Sequence, residues 1–510
     1  MATARRRAAP PSERSRRDAR RRPPPPPGHA PHPEGPDSKT NAPETNPTHA
    51  RTLGQLREAG YQPRTVREEM RSNLIAKIRR GDDLFPGVVG YDQTVVPQVE
   101  NAILSGQDII FLGERGQAKT RLARSLVNLL DERVPVVAGS EINDDPFNPV
   151  SRHARDLVAE KGDETPIEWI GRDRRYGEKL ATPDTTIADL IGEVDPIKVA
   201  EGRYLSDELT ISYGLIPRTN RGVFTLNELP DLAERIQVGL LNIMEERDVQ
   251  IRGYKIRLPL DVFVVASANP EDYTNRGRII TPLKDRYGSQ IRTHYPETID
   301  LEMAIMEQER ARFDDTGVEV DVPAFMKEIV AELTHAARRS HDVSQRSGVS
   351  VRMSVANYEN LISNAVRRAV RLGERRTAPR VSDLAGVVAS TTGKIELEGM
   401  GEVREDQVVD KLLQTAIVTT FNRHFSARQF DRLVLAFDNG LTIEASELMP
   451  AMDYVHQLSH LDGMDDAIDK LGVAGNPATV ASAVEFVLEG LHLNRKLNKD
   501  HGRGPARYHR

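Results

Sequence analysis

The chain has 510 residues, 38% of them hydrophobic, enough for about three domains with substantial cores. It contains no cysteine, which excludes disulfides, thiolate catalysis and cysteine-ligated metals and fits a reducing, cytoplasmic setting. The net charge of −6 is unevenly held: residues 1–50 carry ten basic and five acidic residues, and the other 460 carry 60 and 71. The body is therefore acidic, and broad nucleic-acid binding is not its default.

Residues 1–50 place nine arginines before position 23, then five consecutive prolines at 23–27. With few large apolar residues, this stretch is expected to be a disordered tail; loose attachment to nucleic acid or an acidic partner is its sharper reading. No apolar segment follows the arginines, as a secretory signal would need. No run anywhere approaches the ~20 apolar residues of a membrane span. Residues 53–80 read as helical, ending in Arg79, Arg80 and Gly81. Gly87 and Gly90 then mark a turn, with a helix up to Gly106.

The stretch 107–130, QDIIFLGERGQAKTRLARSLVNLL, reads as strand, loop and helix. Residues 109–112 form a short apolar run, as a buried central strand would. The loop holds Gly113, Glu114, Arg115, Gly116, Gln117 and Ala118 and closes on Lys119 and Thr120. Small residues there let backbone N–H groups curl around phosphate oxygens at a helix start. Lys119 is placed for the β- and γ-phosphates and the Thr120 hydroxyl for Mg²⁺. Ala118 stands where the usual pattern has its second glycine, so by itself the stretch also reads as a Gly-rich turn before an amphipathic helix.

Residues 134–138 read as a second strand, and 139–186 as polar and turn-rich, with Trp169 partly buried beneath. A short helix is expected at 187–191. Residues 222–226 form the next buried strand, followed by Asn227 and Glu228 and a helix over 232–246. Residues 248–258 alternate around Gly253 and Tyr254, a hairpin pattern. Residues 262–266 form another buried strand running into Asn269. Strands alternating with helices predict a mostly parallel sheet between helical layers. From Pro296 helical patterns dominate, at 351–372, 406–425 and about 478–499, before a basic, polar tail. His335, His341 and the C-terminal histidines show no metal-ligand spacing and read as surface residues.

Cleaving a nucleotide's γ-phosphate needs a phosphate cradle, a metal, a polariser for water and a cation for the transition state. The loop is the cradle. Glu228 and Asn269 end buried strands, where α/β sheets hold their ligands. Arg286, in LKDRYG, offers the cation. Taken singly, each reads more simply as a solvated acid, a turn residue and a surface ion pair.

The segments GERGQAKT, GVFTLNELPDL, QVGLLNIMEERDVQIRG, FVVASANPED and LKDRYG resemble the AAA+ ATPases of the magnesium-chelatase subunit I and MoxR group, over residues 84 to about 375. That resemblance implies an α/β fold: a P-loop AAA+ αβα sandwich on a five-stranded parallel sheet, a helical lid, and assembly into a ring, usually a hexamer. It implies ATP and Mg²⁺ as ligands, with Lys119 and Thr120 holding phosphate and metal and Glu228 activating water. Asn269 would be the first sensor, Arg286 a finger reaching the neighbouring subunit's nucleotide, and Arg352 the second sensor. Val89 and Gly90, within 88–91, would lie near the adenine. Asn227 departs from the group, which commonly has Asp there; an amide can hold a Mg²⁺-bound water but brings no charge.

The expected organisation is a tail (1–50), a helical lead-in (51–83), the nucleotide-binding core (84–296), a lid (297–390) and a helical C-terminal extension (391–510). The extension reads as a docking or assembly region or as a stabilising addition; on the first reading, deleting 400–510 leaves nucleotide binding intact. The function expected is an ATP-hydrolysing motor that remodels or metal-loads a partner, which the resemblance makes a protein with a von Willebrand A-type domain. A DNA-acting or transcription-regulating ATPase is the alternative, for which Arg247, Arg252, Lys255 and Arg257 on the hairpin speak and the missing GAFTGA loop does not. A third reading is an ATP-binding switch with little turnover, built on Asn227.

Overall fold

The computed structural model describes residues 49–510, apart from 196, 198–199, 201–207, 247, 251–256, 270–276, 313–316, 346, 399–404, 459–460, 462 and 501–504. The arginine- and proline-rich tail, the tip of the 248–258 hairpin with Arg247, Arg252 and Lys255, and Pro270 lie outside the described residues.

Eleven strands are described up to residue 292: β1 Ile109–Leu112, β2 Arg133–Val137, β3 Ile167–Gly171, β4 Tyr176–Leu180, β5 Gly192–Val194, β6 Ile211–Tyr213, β7 Gly222–Asn227, β8 Asp248–Gln250, β9 Arg257–Pro259, β10 Val262–Ala268 and β11 Ser289–Arg292. Five of them make one sheet in the order β11-β1-β10-β7-β4, parallel at every pairing. β7 and β10 are buried at every position, as strands covered on both faces must be. Side chains alternate between the two faces. Phe111, Val223, Phe263 and Val265 pack with Val66, Val95, Val99, Leu122 and Leu126. Ile110, Phe224, Val264 and Ala266 pack with Ile236, Leu240 and Ile243. The result is the expected αβα sandwich.

Two expectations for this half need correction. The 134–138 strand forms, as β2, but it pairs antiparallel with β3 in a separate ribbon. The sheet's fifth place goes instead to β4, inside the stretch read as turn-rich. β4 has the sequence YGEKL and only Gly177 fully buried, because an edge strand with one covered side needs no apolar run. Trp169 sits in β3, half-buried, edge-on to Tyr61 and donating from Nε1 to the Ala50 carbonyl at 2.9 Å. The lead-in helix also divides, into Leu53–Glu58 and Val66–Arg80. Gly60, at φ +68°, and Pro63 interrupt it, and a Thr65–Glu68 capping box restarts it. The expected β8–β9 pairing and the short β5–β6 ribbon are both antiparallel.

One buried ion pair fastens the Val66–Arg80 helix to the sheet edge. Arg175, 1% exposed, grips Glu69 through both Nη atoms, at 2.8 and 2.6 Å, and donates from Nε to the Arg221 carbonyl. Removing one partner strands a buried charge, so Arg175→Ala should cost about 3–5 kcal/mol, read as a lowered urea midpoint. An unchanged midpoint would count against this reading.

Beyond residue 297 the chain is mainly helical. Helices Ile299–Glu309, Ala324–Arg339 and Val351–Leu372 pack together, and Glu405–His424 and Pro477–Leu493 join the same hydrophobic core. That core draws on residues from both sides of position 390. In the Val351–Leu372 helix Tyr358, Leu361, Ala365 and Ala369 are buried, whereas Val370 is 63% exposed, so the apolar stripe is narrower than its sequence suggests. His335, expected at the surface, is largely covered and lies 3.5 Å from the buried Glu302. The last helix stops at Leu493, short of the expected 499, and the basic, polar tail contributes two strands. Numbering on, β12 Glu319–Val320 pairs with β13 Arg376–Thr377, and β14 Ile443–Ala445, β15 Asn498–Asp500 and β16 Ala506–His509 form an antiparallel sheet with β16 central. Of the three residues of β15 and four of β16, Tyr508 is the fully buried one, too little for a strand pattern to show.

Glu307 ties the first three of these helices together through Lys327 Nζ at 2.6 Å, Arg310 Nε at 2.9 Å and the Tyr358 hydroxyl. Partial burial pushes its carboxyl up, but Lys327, Tyr358 and Arg310 outweigh this and bring it from 4.5 down to about 2. A carboxylate whose folded pKa lies below the unfolded one adds stability that is complete above about 4.5 and lost as pH falls toward 2. Glu307→Gln should therefore flatten the fall in melting temperature between those pH values, as checked by thermal melts; parallel curves would refute it.

Candidate nucleotide site

β1 delivers the chain into the glycine loop. A Cβ on Gly113 would fall 2.0 Å from Thr293 Oγ1 and 2.2 Å from Gln117 Oε1; one on Gly116, at φ +76°, would fall 2.0 Å from Ser350 Oγ. A side chain at 113 would have to displace Thr293 and Gln117, and the left-handed backbone at 116 favours glycine. Ala118 adopts the left-handed conformation at φ +54°, which costs a non-glycine residue roughly 1–2 kcal/mol. A single methyl is tolerated there. Gln117 Oε1 pins the loop by accepting from Glu114 N at 3.0 Å and Thr293 Oγ1 at 2.7 Å. Lys119 is 7% exposed, and its Nζ donates to the carbonyls of Gly113 and Glu114, at 2.6 and 2.7 Å, and to Asn269 Oδ1 at 2.7 Å.

The loop, the acid and the asparagine emerge from three neighbouring parallel strands at the same end. Leu112 stands opposite Ala268, and Ala266 opposite Leu226. Asn269 Nδ2 donates to Glu228 Oε2 at 2.6 Å, so Lys119, Asn269 and Glu228 form one chain of hydrogen bonds. Glu228 itself is left-handed at φ +55°, a strained setting for a non-glycine residue. A second chain runs beside it. The Ser267 and Thr120 hydroxyls both face Asn227 Oδ1, at 3.1 and 3.5 Å, and Asn227 Nδ2 donates to Glu178 Oε1 at 2.7 Å.

These groups open on a cleft of about 470 Å³ between the sheet and the helices beyond residue 297. Val89, Gly90, the loop from Arg115 to Thr120, Glu228, Asn269 and Arg352 line it. Gly113, Glu114 and Asn227 are not among the residues that line it. Arg286 does not enter the cleft; it pairs with Glu245 at 2.7 Å and Asp285 at 3.2 Å.

Sequence reasoning set Tyr91 near the adenine, within 88–91, but missed its hydrogen bonds and several other supporting groups. The Tyr91 hydroxyl sits between the carbonyls of Gln117 and His294, at 2.9 and 2.8 Å, and burial pushes its pKa up to about 12. Tyr295 donates to the Arg115 carbonyl, and Arg121 is forked by Glu309. Glu178 was hidden with its edge strand. No residue pattern announced these, because each reaches the loop only through the fold.

The residues fit a nucleotide with Mg²⁺. Thr120 and Asn227 present oxygens, the donor type this ion takes, and Lys119 and the loop suit phosphate. Among the described residues no cluster of three His, Cys, Asp or Glu side chains is placed to hold a metal by itself. Among them also, no helix is long and apolar enough to cross a membrane.

Residues 201–283 match the family described as the sigma-54 interaction domain. The chain is 30% identical to magnesium-chelatase subunit ChlI-1 of Arabidopsis thaliana over 237 residues, 45% of this chain and 52% of that protein. It is 25% identical to magnesium-chelatase subunit ChlI of Nephroselmis olivacea over 333 residues, 60% and 86% of the two. It thus spans only about half of the Arabidopsis subunit. A solved putative ATPase from Cytophaga hutchinsonii aligns over 68% of this chain and 96% of its own at 17% identity, with a TM-score of 0.29, too low to argue from. The chain resembles AAA+ ATPases of the magnesium-chelatase subunit I type.

Proposed function

We propose that this chain is a Mg²⁺-dependent ATPase whose ring couples ATP hydrolysis to the remodelling or metal-loading of a partner protein. The observation that carries this is the Lys119–Asn269–Glu228 chain at the strand ends, opening on a cleft of nucleotide size. In this reading Lys119 turns from the loop carbonyls to the phosphates, and Thr120 and Asn227 offer oxygens to the ion. Bound Mg²⁺ supplies neutralisation of phosphate charge. Glu228 takes up the attacking water's proton, and Asn269, bonded to both Lys119 and Glu228, reports whether phosphate is present. Arg352 closes the site from the lid. Arg286, outside the lining of its own cleft, is assigned by the resemblance a role at a neighbouring subunit's nucleotide. A hexamer and a partner with a von Willebrand A-type domain complete the reading by resemblance.

The test is phosphate release by the pure chain with and without Mg²⁺, beside sedimentation with and without ATP. Turnover that needs Mg²⁺, and an ATP-dependent ring, are expected; a monomer that never turns ATP over, alone or with a partner, would overturn it. The sigma-54 match favours a second reading, a DNA-acting or transcription-regulating ATPase. Strongly salt-dependent DNA binding by a tail-deleted chain would support that one.

A further inference from the structure

Asn227 brings no charge to the place where the resemblance leads one to expect an aspartate, yet a carboxylate lies one hydrogen bond away. An amide has an oxygen end and a donor end, and only the oxygen can face a cation. Here the donor end is occupied: Nδ2 gives its hydrogen bond to Glu178 Oε1 at 2.7 Å. Oδ1 is thereby turned toward the Thr120 and Ser267 hydroxyls. Glu178 reaches this place from β4, whose Leu180 stands beside Asn227 in the register. It is itself held from three sides. Arg124 grips it at 2.7 and 2.9 Å, one helical turn beyond Thr120, and the Tyr176 hydroxyl donates at 3.0 Å.

We propose that Glu178 is a positioning residue for the metal side of the nucleotide site, locking the Asn227 amide with its oxygen toward Thr120 and the Mg²⁺ shell. Carboxylate and amide act as a pair, with the acid on the edge strand and the amide at the metal. The inference rests on the nucleotide reading above. It also explains why a simple Asn227→Asp change would not be a gain: two carboxylates would then face each other at hydrogen-bonding distance and repel.

The experiment measures the Kd of a fluorescent methylanthraniloyl-ATP for the full chain, with Mg²⁺ and with EDTA. The unmodified chain should bind more tightly with Mg²⁺; failure to bind under either condition would sink the nucleotide reading itself. Glu178→Ala should lose about 10–100-fold of the Mg²⁺-dependent part, as the loss of an orienting partner does, and keep the affinity seen in EDTA. Glu178→Gln, whose carbonyl can still accept from Asn227 Nδ2, should retain most of it. Asn227→Asp should weaken Mg²⁺-dependent binding, and adding Glu178→Gln to it should restore that binding by exchanging amide and acid. Because this last comparison is between two variants at one pair of positions, it decides the matter even if Glu178→Ala fails to fold. An undiminished Mg²⁺ effect in a folded Glu178→Ala, or no recovery in the double variant, would overturn the proposal.

Discussion

Lys119→Ala will lose ATP binding, and Glu228→Gln will bind ATP without turning it over. Lys119 is the buried cation of the loop, and its ammonium is already directed at the carbonyls the phosphates would replace. A charge-assisted hydrogen bond contributes about 1.5–3 kcal/mol, so losing two to phosphate should lower affinity on the order of 10³-fold. Glu228 is different. Its carboxylate accepts from Asn269 Nδ2, and a glutamine keeps the shape and an oxygen for that bond. What is lost is the capacity to take a proton, typically about 10²–10⁴ in rate. Phosphate release and nucleotide titration on the three proteins check both statements. Tight binding by the unmodified chain with no release, even with Mg²⁺, would instead move the protein to the switch reading built on Asn227.

The central part of the site was legible because burial writes itself into sequence there. β7 and β10 are covered on both faces, so they read as apolar runs, and the residue at which each run ends, Asn227 or Asn269, falls at the sheet's ligand-binding end. The glycines of the loop were legible for a similar reason: a Cβ at 113 would displace Thr293 and Gln117, and 116 is left-handed. The edge of the site was not. β4 is half-exposed and carries Glu178 in a polar sequence, and β2, which does look like a sheet strand, spends its apolar residues in a side ribbon. Tyr295 and His294 follow β11, and their reach to the loop depends on its pairing with β1. The C-terminal strands failed to register because β15 and β16 together bury one aromatic residue fully.

Deleting residues 400–510 should dismantle the lid and weaken nucleotide binding with it, contrary to the docking reading of the extension and in line with the stabilising one. The helices Glu405–His424 and Pro477–Leu493 are not appended to the lid; they complete its core. Phe486 stacks on Phe325 with ring centroids 4.6 Å apart, Glu485 accepts from Ser382 N and the Tyr454 hydroxyl, and Arg423 pairs with Glu328 and Glu332. Truncation would bare Phe325, Ile329, Leu333, Leu384 and Val387, all within 1% of complete burial. At about 1.5–3 kcal/mol for each large side chain, the loss is roughly 7–15 kcal/mol. That equals the whole stability of an ordinary domain, about 5–15 kcal/mol. The sheet should survive, since its two clusters draw on residues before 292. The lid should not, and with it go Val351, Arg352 and Val355 from the cleft and Ser350 from its seat against Gly116. Limited proteolysis should then cut within 297–390 while the core resists, and ATP affinity should fall. A truncated chain that keeps both its affinity and a protease-resistant lid would mean that the lid holds together without the residues that now fill its interior, and the extension would then be free to serve a partner alone.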